Sequence, residues 1–349
     1  MRTVMIGQRA VGEHEPCFII AEAGVNHNGD VCLAQRLADA AAEAGADAVK
    51  FQTFKTERLV TPAAAKAVYQ RQTTAPEESQ HAMLKRLELN AGAHAALAAH
   101  CRARGILFLS TPFDEESADL LADLPVPAFK IGSGDLTNQP LLRHVARKGK
   151  PIILSTGMAS LAEVRAAVAA LGDAGNRELI LLHCVSNYPA DPTTVNLRAM
   201  QTLAAGFGVP VGFSDHTPGQ TVAVAAAALG ACVIEKHLTL DRAMAGPDHR
   251  ASLEPPELAA LIRAVRTVET ALGDGQKRPV ATEAEVAAAA RRSIVAARAI
   301  AAGTRLGTAD LAVKRPGTGL PPDMLPGVLG RRARVDIPDG TLLQLEMLT

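Results

Sequence analysis

Cysteine is scarce in this 349-residue chain and badly spaced for cross-linking. Cys17, Cys32, Cys101, Cys184 and Cys232 are odd in number, far apart and form no CxxC pair. That excludes a disulfide framework and a zinc–thiolate cluster. Cys17, Cys184 and Cys232 stand inside apolar runs and read as core packing. Net charge is absent too, with 36 Lys+Arg against 36 Asp+Glu. A neutral chain has no electrostatic reason to seek nucleic acid or an anionic membrane. Apolar runs are short and interrupted, so no bilayer span is expected. The opening MRTVMIGQRAVGEHEP lacks the apolar core of a secretory signal, which points to a cytoplasmic protein. No GxGxxG or Walker loop follows an early apolar run, which disfavours a doubly wound open sheet.

What is present is a repeated unit. Eight apolar runs end in polar residues: CFIIAEAG (17–24), DAVKFQTF (47–54), ILFLSTPFD (106–114), AFKIGSGD (128–135), PIILSTGM (151–158), LILLHCVS (179–186), PVGFSDH (210–216) and CVIEKHL (232–238). Ala/Leu-rich stretches separate them, and Gly45, Gly105, Gly149, Gly230 and Gly273 stand where helix C-caps are expected. Buried strands alternating with helical crossovers, eight times over, predict an α/β protein built on a (β/α)8 TIM barrel over residues 17–273. The second connection is far longer than the others. Its polar KTERLVTPAAAKAVYQRQTTAPEESQ is a candidate lid. Residues 1–16 predict a hairpin under the barrel floor, and 274–292 a polar linker with a short helix. Residues 293–349 predict a small β-rich domain, too small to bury much core by itself.

Strand side chains alternate, so parity assigns faces. Lys50 with Gln52, Leu109 with Thr111, Ile153 with Ser155, Gly212 with Ser214 and His216, and Val233 with Glu235 and His237 each share one. Every set turns polar toward its C-terminal end, as a barrel lumen does where it opens into a catalytic mouth. His216 and His237 occupy equivalent tips of neighbouring strands, beside Glu235, and suit a divalent transition metal with open positions. Two hydrogen-bonded histidines in a polar mouth would look the same. His183 stands at a similar depth as a possible third polar group, whereas His14, His81, His94, His100 and His144 read as surface residues. Lys50 and Lys130 face inward, where a lysine needs an anion or a covalent task. With Thr111, Ser133, Ser155 and Ser214 around them, they suggest a ligand carrying both phosphate and carboxylate. Lys236 has the opposite parity and should face the helices. Glu22, Asn26, Asp135, Asn187, Tyr188, Asp215 and Asp248 follow the other tips, as donors and acceptors suited to sugar hydroxyls.

Strung together, IIAEAGVNHNGD, AGADAVKFQTFK, FLSTPFD, FKIGSGD, IILSTGM, FSDHT and VIEKHLTLDRAMAGPDHRASLEP resemble the N-acetylneuraminate (sialic acid) synthase family. The tail RRSIVAARAIAAGTRL, followed by LAVKRPGTG, resembles its C-terminal antifreeze-like (SAF) domain. The resemblance implies condensation of phosphoenolpyruvate with an open-chain N-acylhexosamine, N-acetylmannosamine first, giving a nine-carbon 2-keto sugar acid and phosphate. It implies that Lys50, Thr111, Lys130, Ser133, Ser155, Ser186 and Ser214 hold phosphoenolpyruvate, and that His216 and His237 bind Mn or a similar divalent ion. Glu22, Gln52, Asp135, Tyr188 and Asp248 would orient the sugar, and the metal or Glu235 would activate the water that adds. Arg315 would reach the barrel of a partner in a domain-swapped homodimer and hold the N-acyl group. Asp135 stands where several bacterial members carry Glu. YQRQTTAPEESQ resembles legionaminic acid synthases as much, and those use a 2,4-diacetamido-6-deoxy sugar; pseudaminic acid synthases match less well.

Two other functions compete. A Schiff-base pyruvate aldolase would use Lys50 or Lys130 covalently. An ice- or carbohydrate-binding role for the C-terminal domain meets Arg291, Arg292, Lys314, Arg315, Arg331 and Arg332, which are wrong for a flat apolar ice face.

Overall fold

The computed structural model describes residues 3–75 and 77–349. The chain divides into two compact units, 1–273 and 274–349. The first opens with an antiparallel hairpin, β1 (Val4–Ile6) and β2 (Arg9–Val11). Each of the eight apolar runs then forms a strand: β3 (Phe18–Gly24), β4 (Ala48–Thr53), β5 (Leu107–Pro112), β6 (Phe129–Ile131), β7 (Ile152–Ser155), β8 (Leu179–Cys184), β9 (Val211–Asp215) and β10 (Val233–His237). Their order is β5-β4-β3-β10-β9-β8-β7-β6, every ladder is parallel, and β5 packs beside β6. The sheet is therefore a largely closed barrel, not an open doubly wound sheet.

Parity sorts the strand residues into two cores. Ile20, Leu109, Ile153, Leu182 and Val233 fill the lumen floor with Val4, Ile6 and Val11 of the hairpin. Ile19, Phe51, Phe129, Leu154 and Ile234 pack outward under the helices. The crossover helices begin and end on local signals. Asp30 caps Val31–Ala44 by accepting from the Cys32 amide at 2.7 Å, and Gly45 closes it at φ 88°.

Gly212 shows how tightly the lumen is filled. A Cβ there would lie 2.5 Å from the Val233 carbonyl oxygen and 2.8 Å from a Leu182 methyl. The second connection carries three short helices, Thr56–Leu59, Val68–Thr73 and Gln80–Leu87, before the crossover helix Ala91–Ala103.

In the second unit, a helix at Ala284–Ala290 precedes an antiparallel pair, β11 (Ser293–Ala296) and β12 (Leu311–Lys314). Isolated bridges such as Ile300↔Ile337 and Ala333↔Leu348 enclose a core of Ile294, Leu306, Val328 and Leu343. Arg315 follows β12 and is exposed. Among the described residues, no helix is long and apolar enough to cross a membrane.

Replacing Gly212 by Ala should overpack the lumen and cost about 1–3 kcal/mol. Chemical denaturation checks this; a midpoint equal to wild type would show that the wall can yield.

Candidate active site

The strands end in a cavity of about 460 Å³ at the C-terminal mouth of the barrel. It brings together Glu22, Lys50, Gln52, Thr111, Lys130, Ser133, Ser155, Ser186, Tyr188, Ser214, His216, Glu235, His237 and Asp248. Strands from all round the barrel contribute, with the loops that follow them, because inward parity at each strand end aims the last polar residue at one point.

Charge lies at the base. Lys50 Nζ is 2.5 Å from Glu22 Oε2 and donates to Thr111 Oγ1 at 3.1 Å. Glu235 lies between the lysines, 3.4 Å from Lys130 and 3.8 Å from Lys50, and accepts from Ser214 Oγ at 2.9 Å. All four ionisable side chains are buried. Burial pushes Glu22 up to about 7 despite Lys50 beside it. Burial acts upward on Glu235 as well, but Lys130 and Lys50 together outweigh it and hold its carboxyl at about 2. Burial lowers Lys130. It acts downward on Lys50 too, but Glu22 and Glu235 more than restore that ammonium.

A hydroxyl cradle lies beside the lysines. The Gly157 amide donates to Ser133 Oγ at 2.9 Å. A Cβ on Gly157 would sit 2.3 Å from Ser186 Oγ and 2.8 Å from Ser133 Oγ, so only glycine leaves the cradle open. Ser155 Oγ is buried without a partner. Hydroxyls and a backbone amide beside two ammonium groups suit a doubly charged oxyanion.

Above them stand the imidazoles, ring centroids 5.4 Å apart. His216 Nδ1 lies 2.8 Å from the Val185 carbonyl, so it carries the proton and Nε2 keeps its lone pair. Burial, then His216 and Lys50 nearby, press His237 well below the usual imidazole range, and its Nδ1 has no partner. Two imidazoles, each with a ring nitrogen that meets no protein partner, fit a divalent cation that keeps open positions. Among the described residues, no group of three or more His, Cys, Asp or Glu side chains gathers to hold a metal. Tyr188 covers both rings, 4.1 Å from His216 and 5.6 Å from His237. Asp248 Oδ1 is buried without a partner, and burial raises that carboxyl to about 6.

Several expected residues lie elsewhere. Asp135 accepts from Asn138 Nδ2 at 3.0 Å and does not line the cavity. His183 has outward parity, meets the Val195 carbonyl at 2.6 Å and stacks on Phe213. Asp215 also faces outward, 2.7 Å from Lys236 Nζ. Asn26 ties the Leu238 carbonyl to Ser252, and Asn187 is exposed. His94 is fully buried, bonded to Thr53. The lining also includes residues outside the sequence-derived set, Cys184 and Tyr69 among them. Cys184 continues the inward parity of Ile180 and Leu182, and its Sγ lies 3.7 Å from His216 Nδ1. Tyr69 comes from the long second connection and stacks on Tyr188 at 5.1 Å. Its signal was rarity, since the chain has two tyrosines.

A parallel barrel whose mouth sets paired lysines and a hydroxyl cradle beneath two free imidazoles defines a barrel enzyme acting on an anionic substrate. The NeuB family matches residues 37–277, and the SAF domain matches residues 291–349. The N,N'-diacetyllegionaminic acid synthase of Legionella pneumophila is 47% identical over 344 residues, 97% of each chain. The N-acetylneuraminate-9-phosphate synthase of Mus musculus is 38% identical over 346 residues, 96% of this chain and 94% of its own. The crystal structure of an N-acetylneuraminic acid synthetase from Leptospira borgpetersenii, in complex with citrate, matches with a TM-score of 0.72 at 36% identity, over 82% of this chain and 95% of that one. The chain belongs to the NeuB family of phosphoenolpyruvate-condensing nonulosonic acid synthases and ends in a SAF domain.

Replacing Glu235 by Gln leaves two buried ammonium groups with less compensation. It should cost about 3–5 kcal/mol, and added inorganic phosphate should recover more stability in the variant than in wild type. Equal phosphate effects in thermal melts would contradict this reading of the base.

Proposed function

We propose that this enzyme condenses phosphoenolpyruvate, water and the open-chain form of 2,4-diacetamido-2,4,6-trideoxymannose to a nine-carbon 2-keto acid and phosphate. The observation that carries the condensation is Lys50 and Lys130 straddling Glu235 beneath the Ser133–Gly157 cradle, next to two imidazoles that each keep a ring nitrogen without a protein partner. N-acetylmannosamine was the sugar expected from sequence motifs. Two observations favour the diacetamido sugar. Identity is 47% to the legionaminic acid synthase and 38% to the mouse N-acetylneuraminate-9-phosphate synthase. The upper cavity is lined by Val25, Leu59, Val60, Met83, Leu84 and Phe113, an apolar wall suited to a C6 methyl and acetamido methyls. Its lining cations are Lys50 and Lys130, committed to the base, so a 6-phosphate would find no third cation among the described lining residues.

In this reading Lys50, Thr111, Lys130, Ser133, Ser155, Ser186 and Ser214 bind the phosphate and carboxylate of phosphoenolpyruvate. Gln52, Tyr188 and Asp248 orient the sugar, and Arg315 of a partner subunit in a domain-swapped homodimer holds an N-acyl group. His216 and His237 would hold a divalent ion, Mn first. When bound, such an ion supplies Lewis-acid stabilisation for the negative charge that develops on the aldehyde oxygen. The residues fix C3 of phosphoenolpyruvate against the aldehyde carbon, which removes much of the bimolecular entropy cost. After the carbon–carbon bond forms, water adds at C2 and loses a proton, the alkoxide left from the aldehyde gains one, and the tetrahedral centre expels phosphate, which leaves with the proton of the C2 hydroxyl as the ketone forms. Glu22, with its carboxyl raised to about 7, is poised to move the water's proton near neutrality. Glu235, held ionised, keeps both lysines charged for the incoming anion.

The test is phosphate release from phosphoenolpyruvate with N-acetylmannosamine, its 6-phosphate and the diacetamido-trideoxy sugar. The third should give the highest kcat/KM, EDTA should abolish turnover, and Mn should restore it. Borohydride with pyruvate should leave no lysine adduct; a trapped Lys130 would favour the aldolase instead. Replacing Glu22 by Gln should lower kcat by about 10²- to 10⁴-fold with the KM for phosphoenolpyruvate little changed. A kcat within a few fold of wild type would move the proton transfer elsewhere.

A further inference from the structure

The long second connection brings one aromatic ring to the site on a peculiar support. Val68–Thr73 is a helix with no buried side chain. It is clasped by its own flanks. Lys66, itself buried, reaches forward to Thr74 Oγ1 at 3.0 Å and to the Ala75 carbonyl. Arg71 Nε donates back to the Lys66 carbonyl at 3.1 Å. The segment therefore holds its shape through its own polar contacts.

Its attachments to the barrel are polar or aromatic. Thr73 Oγ1 donates to the Pro247 carbonyl at 3.2 Å, and Tyr69 stacks on Tyr188 at 5.1 Å with planes 25° apart. Tyr69 and Gln70 line the active-site cavity, and Thr73 and Thr74 line a second cavity of about 570 Å³ with Met83 and Pro247. A preformed unit with weak attachments and room to move belongs to the low-stability end of a fold, from which lids are drawn.

Tyr69 is also chemically placed. Its hydroxyl accepts from Gln70 Nε2 at 3.4 Å and lines the same cavity as Asp248. Asp248 keeps Oδ1 buried and without a partner, an acceptor open to a ligand N–H or O–H. Tyr188 beneath Tyr69 covers both imidazoles. A sugar lying between the imidazoles and the segment would meet Tyr69 and Asp248 together.

We propose that Tyr69 is a sugar-positioning residue carried on a self-clasped lid, residues 66–75, whose latch is the Tyr69–Tyr188 stack. This rests on the condensation reading above. It assigns the lid to the sugar, not to phosphoenolpyruvate, because the lid reaches Asp248 and Tyr188 while the lysine–hydroxyl cradle lies at the base.

The chain offers a built-in reporter: it has no tryptophan, and its two tyrosines are these two. Tyrosine emission of the full-length, Mn-loaded enzyme should change saturably when the diacetamido sugar is added alone, and much less with phosphoenolpyruvate alone. Tyr69→Phe keeps the ring and removes the hydroxyl. Its sugar KM should rise about tenfold, with the KM for phosphoenolpyruvate within about twofold of wild type. Tyr69→Ala loses the stack too and should raise the sugar KM toward about a hundredfold. Far-UV circular dichroism equal to wild type keeps misfolding out of the comparison. Both KM values moving together, or wild-type emission indifferent to the sugar, would overturn the lid while leaving the condensation intact. If wild type releases no phosphate with any of the sugars, both readings fall together.

Discussion

Two ammonium groups and two carboxylates are enclosed at the base of one cavity, and the rest of the mouth is arranged around keeping them charged. Isolated in apolar surroundings, each would shed its charge. Glu235 prevents this for the lysines by standing within 3.4 Å of one and 3.8 Å of the other. Glu22 answers the opposite pull. It pairs with Lys50, yet burial lifts its carboxyl to about 7, so one acid of the cluster is fixed and the other can change state. Such an array is already organised before an anionic substrate arrives, and little reorientation is left for the reaction itself.

The same chemistry on the other face of the same strands has a different fate. Lys236 and Asp215 are neighbours of Glu235 and Ser214, and they form a buried ion pair at 2.7 Å. They point under the helices, where no substrate can reach, and Lys236 also meets the Thr217 carbonyl. One residue of register separates a structural pair from a reactive one. The glycines at 212 and 157 act within this frame by leaving space, one for the neighbouring strand and one for the hydroxyl cradle.

Much of this was legible beforehand. Eight apolar runs with polar tips became eight strands, because short apolar runs alternating with Ala/Leu-rich stretches build a parallel sheet covered by helices. Period-2 alternation then put Lys50, Lys130, Ser155, Ser214, Glu235 and His237 into one lumen. The exceptions mark where that logic does not reach. His183 and Asp215 break the inward parity of their own strands, and Cys184 keeps it, buried and yet lining the cavity. Asp135 lies beyond a strand end, where a 3₁₀ turn re-aimed it toward Asn138.

The sequence by itself determined the barrel, the inward set of polar tips and the family, because strand periodicity and local caps act over a few residues and leave a readable pattern. Tertiary structure alone decided which charges pair, that Glu22 and Glu235 diverge in proton affinity, and that Tyr69 comes to rest on Tyr188. Those outcomes depend on distances between residues far apart in the chain and on the depth of water exclusion around them. Neither quantity is encoded in any local stretch.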